Sequence, residues 1–198
     1  MLNCNYGDST AYRFTNCDCI QDDHIDILGT YPGDKIENIL NCSTGADKWT
    51  EFFIPEVVDM PAENPPIESI SAIKSSIDII SQRVVKTPTV KGYTPVNSLE
   101  IPGEKIGNGE CTNLTGRKLV IEGVLNQKII YTATLTEQSL HAARFCIPFS
   151  IFIIIDKDTV MSQKFKITPY IEDIFACRLS DTTIFKNTTI FLRASKIC

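Results

Sequence analysis

The stretch "GRKLVIEGVLNQKIIYTATL" (116–135) constrains this chain more than any other. It places Leu119, Ile121, Gly123, Leu125, Gln127, Ile129 and Tyr131 at alternate positions, with Glu122, Asn126 and Lys128 among the residues between them. Side chains along a strand point alternately to the two faces of a sheet, so this spacing makes one apolar face and one mixed face. The same period recurs in "SAIKSSIDIISQRVVKTP", through Ile73, Ser75, Ile77 and Ile79, and in "SLHAARFCIPFSIFIII", through His141, Ala143, Phe145, Ile147, Phe149 and Ile151. "QKFKITPYIEDIFACRLS" and "TTIFKNTTIFLRASKI" continue it. Long period-2 segments separated by turn residues predict an all-β fold, an antiparallel β-sandwich. Pro148 and Pro169 are expected at a sheet edge, a bulge or a strand break, because proline cannot donate to a ladder. No useful 3.6-residue apolar stripe occurs, so helix is expected to be scarce.

The N-terminal part has a different texture. Met1 to about Ala46 is polar and carries four of the eight cysteines. "IDILGTYPGDKIENILN" has a Tyr-Pro-Gly-Asp turn signal between two small apolar patches. "PAENPP" (61–66) is a connector whose prolines forbid helix and sheet interior alike. The expected division is a cysteine-rich arm or small subdomain over 1–51 and a sandwich over 52–198. "EIPGEKIGNGECTNLTG" reads as an exposed loop or hairpin end.

Charge and hydropathy narrow the function classes. The formal net charge is −5, and Lys and Arg are scattered along the sequence, so nucleic acid is not an expected partner. The longest apolar run, "IPFSIFIII", is too short to span a bilayer as a helix, which needs about 20 residues, so no membrane partner is expected. The first residues, "MLNCNYGDST", lack the basic and apolar regions of a signal peptide. The expectation is therefore a chain made in the cytosol, where thiols normally stay reduced.

That expectation conflicts with eight cysteines: Cys4, Cys17, Cys19, Cys42, Cys111, Cys146, Cys177 and Cys198. Zinc sites usually pair cysteines two to four residues apart in two knuckles. Here one C-x-C occurs alone, so Cys17, Cys19 and His24, with Cys4 or Cys42, make a weak metal set; no metal or other cofactor is expected. A redox C-x-x-C is absent. Disulfides are the main alternative, with Cys4, Cys17, Cys19, Cys42, Cys111 and Cys198 as the cross-linking candidates. Cys146 and Cys177 lie in apolar strands, where burial as reduced thiols is equally open. Cys17 and Cys19 share a side if their segment is extended, and the arm can then grip two partners.

Other chemistry is thin. His141 alternates with large apolar residues and reads as a half-buried structural histidine. Two histidines alone define no Ser–His–Asp arrangement, and no enzyme is expected. Asp22–Asp23 and Asp156–Asp158 read as solvated turn residues, and Gly103, Gly107 and Gly109 lack the strand–helix context of a phosphate loop. Trp49, Phe52 and Phe53 are expected to form a small hydrophobic plug.

"FIPEVVDMPAENPPIESI", "VKTPTV", "LTGRKLVIEGVLNQKIIYTA", "EQSLHAARFCIPFSIFIII" and "YIEDIFACRLSDTTIFKNTTIFLRA" together resemble a SPOCS domain, a β-rich module of clostridial spore-coat and spore-morphogenesis proteins. The resemblance runs from about Phe52 to the C-terminus. It implies a role on the spore, in coat, exosporium or appendage, and carries no catalytic residue. It also implies synthesis in the mother-cell cytosol and exposure to oxidation when that cell lyses. The sequence departs from the plain module by lacking the LysM domain that accompanies some relatives and by adding a cysteine-rich arm. Both departures point to a structural subunit: a homopolymer whose arm docks on neighbouring copies and is held by intermolecular disulfides. A monomeric adaptor that docks other spore coat proteins and a metal-binding protein are the rival expectations.

Overall fold

The computed structural model describes residues 19–22, 24–41, 47–89, 91–93, 100–102, 115–134 and 140–197. In chain order these form β1 (Asp26–Leu28), α1 (Gly33–Asn41), β2 (Lys48–Asp59), β3 (Ile67–Thr89), β4 (Lys91–Tyr93), β5 (Glu100–Pro102), β6 (Thr115–Ala133), β7 (Leu140–Ile154), β8 (Phe165–Arg178) and β9 (Thr183–Lys196). One sheet has the order β1-β3-β6-β7 and the second β2-β9-β8; β4 and β5 make a separate two-stranded ribbon. All pairings are antiparallel except that of β1 with β3, which is parallel. The chain is all-β in two layers, as the alternation predicts.

β6 is the centre of the first sheet, and its phase is the expected one. Leu119, Ile121, Leu125, Ile129, Tyr131 and Ala133 are all fully buried. Each large aliphatic side chain removed from water in this way contributes about 1.5–3 kcal/mol. Ile184, Ile190, Leu192 and Ala194 of β9, the centre of the second sheet, meet them in one core cluster. Gly123 leaves room where the layers crowd, since a Cβ there would stand 2.5 Å from Cζ of Phe149 and 2.9 Å from the Asp78 carbonyl oxygen.

Bulges reset the phase of β3 and β8. The register of β3 shifts between Ile79 and Ser81, so the inward set passes from Ile73, Ser75, Ile77 and Ile79 to Gln82 and Val84, and Ile80 is left exposed. β8 shifts between Ile171 and Asp173, and Ile174 and Ala176 then face the core. An extra residue in one strand moves every later side chain to the other face.

Three of the strand prolines sit where their missing N–H costs least. Pro55, Pro148 and Pro169 lie in β2, β7 and β8, and each of these strands is an edge of its sheet. β2 begins at Lys48, ahead of the expected boundary at Phe52.

The segment before β2 packs on the sandwich of its own chain. Ile20 bridges Arg178 at the end of β8, β1 pairs with β3 through residues 72–74, and Thr30 bridges Ile171 in β8. Gly29 permits this approach: its φ is +100°, and a Cβ would fall 2.3 Å from the Ser75 carbonyl oxygen. After the turn at Pro32, the second apolar patch of the segment forms α1. Ile36 and Ile39, three apart, pack on Tyr170 and Phe191 on the outer face of the second sheet. Residues 19–31 thus strap the flank where β3 meets β8. Among the described residues, nothing pairs with the outer edges of β2 and β7 on the opposite flank.

Candidate functional site

The cysteines are the residues to which the sequence assigns most chemistry. Cys4, Cys17, Cys42, Cys111 and Cys198 lie outside the described residues. Cys19 and Cys177 form a disulfide within the chain, with Cα atoms 5.7 Å apart and a sequence separation of 158. Cys177 faces outward from β8 and is fully buried. The bridges around it hold Cys19 against the sandwich of its own chain. The backbone groups of Ile20 and Arg178 donate to each other at 3.0 Å. The Asp22 carboxylate accepts from the backbone N–H of Ile70 at 2.7 Å and from the Arg178 guanidinium at 3.4 Å.

Cys146 is a free thiol and is exposed, so it is not the buried thiol that its apolar strand suggests. The reason is phase. Phe145 and Ile147 face the core from β7, and position 146 between them faces out.

His24 is also exposed, and its Nε2 lies 3.0 Å from Oδ1 of Asp26. With the sulfur of Cys19 in a disulfide, the weak set of Cys17, Cys19 and His24 loses one of its thiolates. No group of three metal-ligating side chains comes together among the described residues. His141 is half-buried, its ring 5.8 Å from that of Tyr131.

The aromatic cluster is split by the pleat of β2 and is not a plug. Phe52 points inward, its ring 5.4 Å from that of Phe149. Trp49, Phe53 and Val57 point outward and are 54%, 66% and 51% exposed. They form an apolar ribbon along an edge strand, with Trp49 resting on Phe191 at 5.7 Å. Ion pairs fix the start of that strand. Asp47 bonds Arg193 of β9, and Lys48 lies 2.9 Å from Asp156 beyond the end of β7. The bond from Arg193 holds the Asp47 carboxyl below its ordinary range, and the bond from Lys48 does the same for Asp156.

A polar seam crosses the interior. The Gln127 amide donates to Ser75 and to Thr188, each at 3.0 Å, and joins β3, β6 and β9. Beside it in β9, Lys186 is 1% exposed and is bonded to Glu56 of β2. Burial pulls the Lys186 amine below its ordinary pKa, and Glu56 partly restores it. The signal was present in "TIFKNTTIFL", where Lys186 and Thr188 share the parity of Ile184 and Ile190.

Among the families of known proteins, the one described as "SipL, SPOCS domain" matches residues 66–178. The chain belongs to the SPOCS-domain family. The match opens at the end of the proline connector and closes at Arg178, the end of β8, so β3 to β8 carry the SPOCS signature. Membership gives the chain a spore-associated role. No curated protein and no solved structure matches it. No helix among the described residues is long and apolar enough to cross a membrane.

Proposed function

We propose that this SPOCS protein is a structural, non-enzymatic subunit of the endospore surface, in coat, exosporium or appendage. It assembles with copies of itself and is cross-linked by disulfides between them. The observation that carries this reading is the open flank. β2 and β7 are long edge strands without partners among the described residues, and β2 adds the outward ribbon of Trp49, Phe53 and Val57. A long apolar edge invites strand addition unless it is covered or blunted. Here the blunting devices inside the two strands are Pro55 and Pro148 together with the exposed charges of Glu51 and Asp59 in β2 and Arg144 in β7.

Cys146, exposed on β7 at this flank, is the described thiol able to reach a neighbour, and Cys4, Cys17, Cys42, Cys111 and Cys198 are the remaining cross-link candidates. Oxidation follows release from the mother-cell cytosol, so the route needs no signal peptide.

A second reading is a monomeric adaptor for another spore coat protein. The docking of residues 19–41 on their own sandwich favours it, because the arm is then occupied at home.

Electron microscopy of the purified protein, with non-reducing gels run in parallel, separates the two. Ordered assemblies and a covalent ladder that collapses with reductant support the subunit reading. Monomers at micromolar concentration with one internal disulfide overturn it in favour of the adaptor.

A further inference from the structure

The cations are scattered in sequence but not in space. Lys74 of β3 is paired in register with Lys128 of β6, and Lys128 with Arg144 of β7. The three stand side by side on the outer face of the first sheet. They border a depression of about 470 Å³ that Ser76, Asn126 and Cys146 also line. Ser76, Asn126 and Cys146 form the next cross-strand row on that face. None of the three cations has an ion-pair partner among the described residues. Of the carboxylates on the same face, Glu122 bonds Ser81 and Arg83, Asp26 lies beside His24, and Asp78 accepts from the Asn126 amide at 2.7 Å; none of the three is ion-paired with a cation of the row.

Like charges directly opposite each other on neighbouring strands repel, so this row is destabilising as long as nothing neutralises it. The protein carries a net charge of −5, so a local field of this sign runs against the charge of the whole chain. Directly opposite side chains start about 5 Å apart. That spacing lets one small molecule with two or three negative groups face two or three cations at once. Arg144 offers a planar fork to a carboxylate or phosphate, and the two lysines act as point charges. The Ser76 hydroxyl and the Asn126 amide add neutral polar groups at the rim.

We propose that the Lys74–Lys128–Arg144 row is a binding site for a compact polyanion carrying two or more carboxylate or phosphate groups. The site shares β7 with the open flank, but it rests on the cation row alone and is tested on the reduced, unassembled chain.

The test is titration calorimetry on the full chain at low ionic strength, with citrate and tripolyphosphate as probes and acetate and orthophosphate as weaker-charged controls. Saturable binding of either polyanion at one site per chain is the expected result, and which of the two binds tells carboxylate from phosphate. Lys128→Gln and, separately, the more exposed Lys74→Gln should each weaken binding about tenfold, the scale of one lost charge-assisted contact. Lys157→Gln, in a remote turn, should leave it unchanged. The bound polyanion should also slow alkylation of Cys146, read on its peptide by mass spectrometry. The proposal is overturned if neither polyanion binds saturably. It is equally overturned if Lys157→Gln weakens binding as much as Lys74→Gln does, or if Cys146 alkylates at the same rate with and without the polyanion.

Discussion

Lys186 of β9 is bonded to Glu56 of β2 between the two sheets, and the lysine is the more deeply buried partner. The side chain of Lys186 is 1% exposed and that of Glu56 22%. The pair is therefore unequal. Breaking it from the glutamate side strands a cation in the core, which costs about 3–5 kcal/mol. Removing the lysine leaves a carboxylate that still reaches water, and an unbranched apolar chain can fill the space. Glu56→Ala should therefore be strongly destabilising in urea unfolding, and Lys186→Met close to neutral. Equal losses from the two variants would contradict this account.

The same burial gives stability an alkaline dependence. The folded protein releases the Lys186 proton at lower pH than the unfolded chain, whose lysine keeps the ordinary value of 10.5. Between the folded value and 10.5 the unfolded state binds more protons, so this group makes stability rise with pH there. Tyr131 opposes it: burial raises its pKa, so the unfolded chain ionises first and stability falls as pH passes 10.0. Unfolding free energy measured against pH in parallel for wild type and Lys186→Met isolates the lysine, and the variant should lack the rise.

At the acid end, the depressed carboxyls of Asp47 and Asp156 contribute stability that is present above 3.8 and lost as pH falls through their folded values. Asp47→Asn should flatten the acid limb of the stability curve. A limb unchanged in slope would show that the Arg193 contact contributes nothing in solution.

The Cys19–Cys177 bond closes a long loop. Cross-links of this span reduce the freedom of the unfolded chain and typically contribute about 2–5 kcal/mol. Cys19→Ser should lower the denaturant midpoint by a corresponding amount, and reductant should then have little further effect through this pair. Peptide mapping without reductant should recover Cys19 joined to Cys177.

Gly29 tests the strap directly. Alanine at φ +100° is strained and collides with the Ser75 carbonyl oxygen, so Gly29→Ala should cost about 2 kcal/mol. The signature is local: protease should cut within residues 19–31 while the sandwich stays folded. Phe53→Lys tests the opposite flank, and assembly should fail while the circular dichroism of the β-sandwich stays unchanged.

What the sequence makes legible depends on whether a signal is local. The phase of β6 can be read from Leu119 to Tyr131 because every inward position but Gly123 and Gln127 is large and apolar. The outward phase of Cys146 was equally readable, since it lies between Phe145 and Ile147; the apolar character of the strand hid it. The bulges after Ile79 and Ile171 leave no clear local mark. α1 is short, and the spacing of Ile36 and Ile39 gains meaning only when Tyr170 and Phe191 lie beneath it. The Lys74–Lys128–Arg144 row is invisible in one dimension, because cross-strand register alone brings it together. The SPOCS motifs were legible as motifs, and the family match rests on the same strands.

The strap over the β3–β8 flank also bears on how copies of the chain would pair if they assemble edge to edge. The strap pairs with residues 72–74 of β3 and bridges β8 at Ile171 and Arg178, so among the described residues the β2–β7 flank is the one with neither strand nor bridge along its outer edges. A contact that uses the same patch on both partners closes into a pair and stops. Strand addition at β2 and β7 alone therefore yields a dimer, and any longer array needs a second, different contact to propagate. The outward ribbon of Trp49, Phe53 and Val57 and the cysteines beyond the described residues are where that second contact has to be sought.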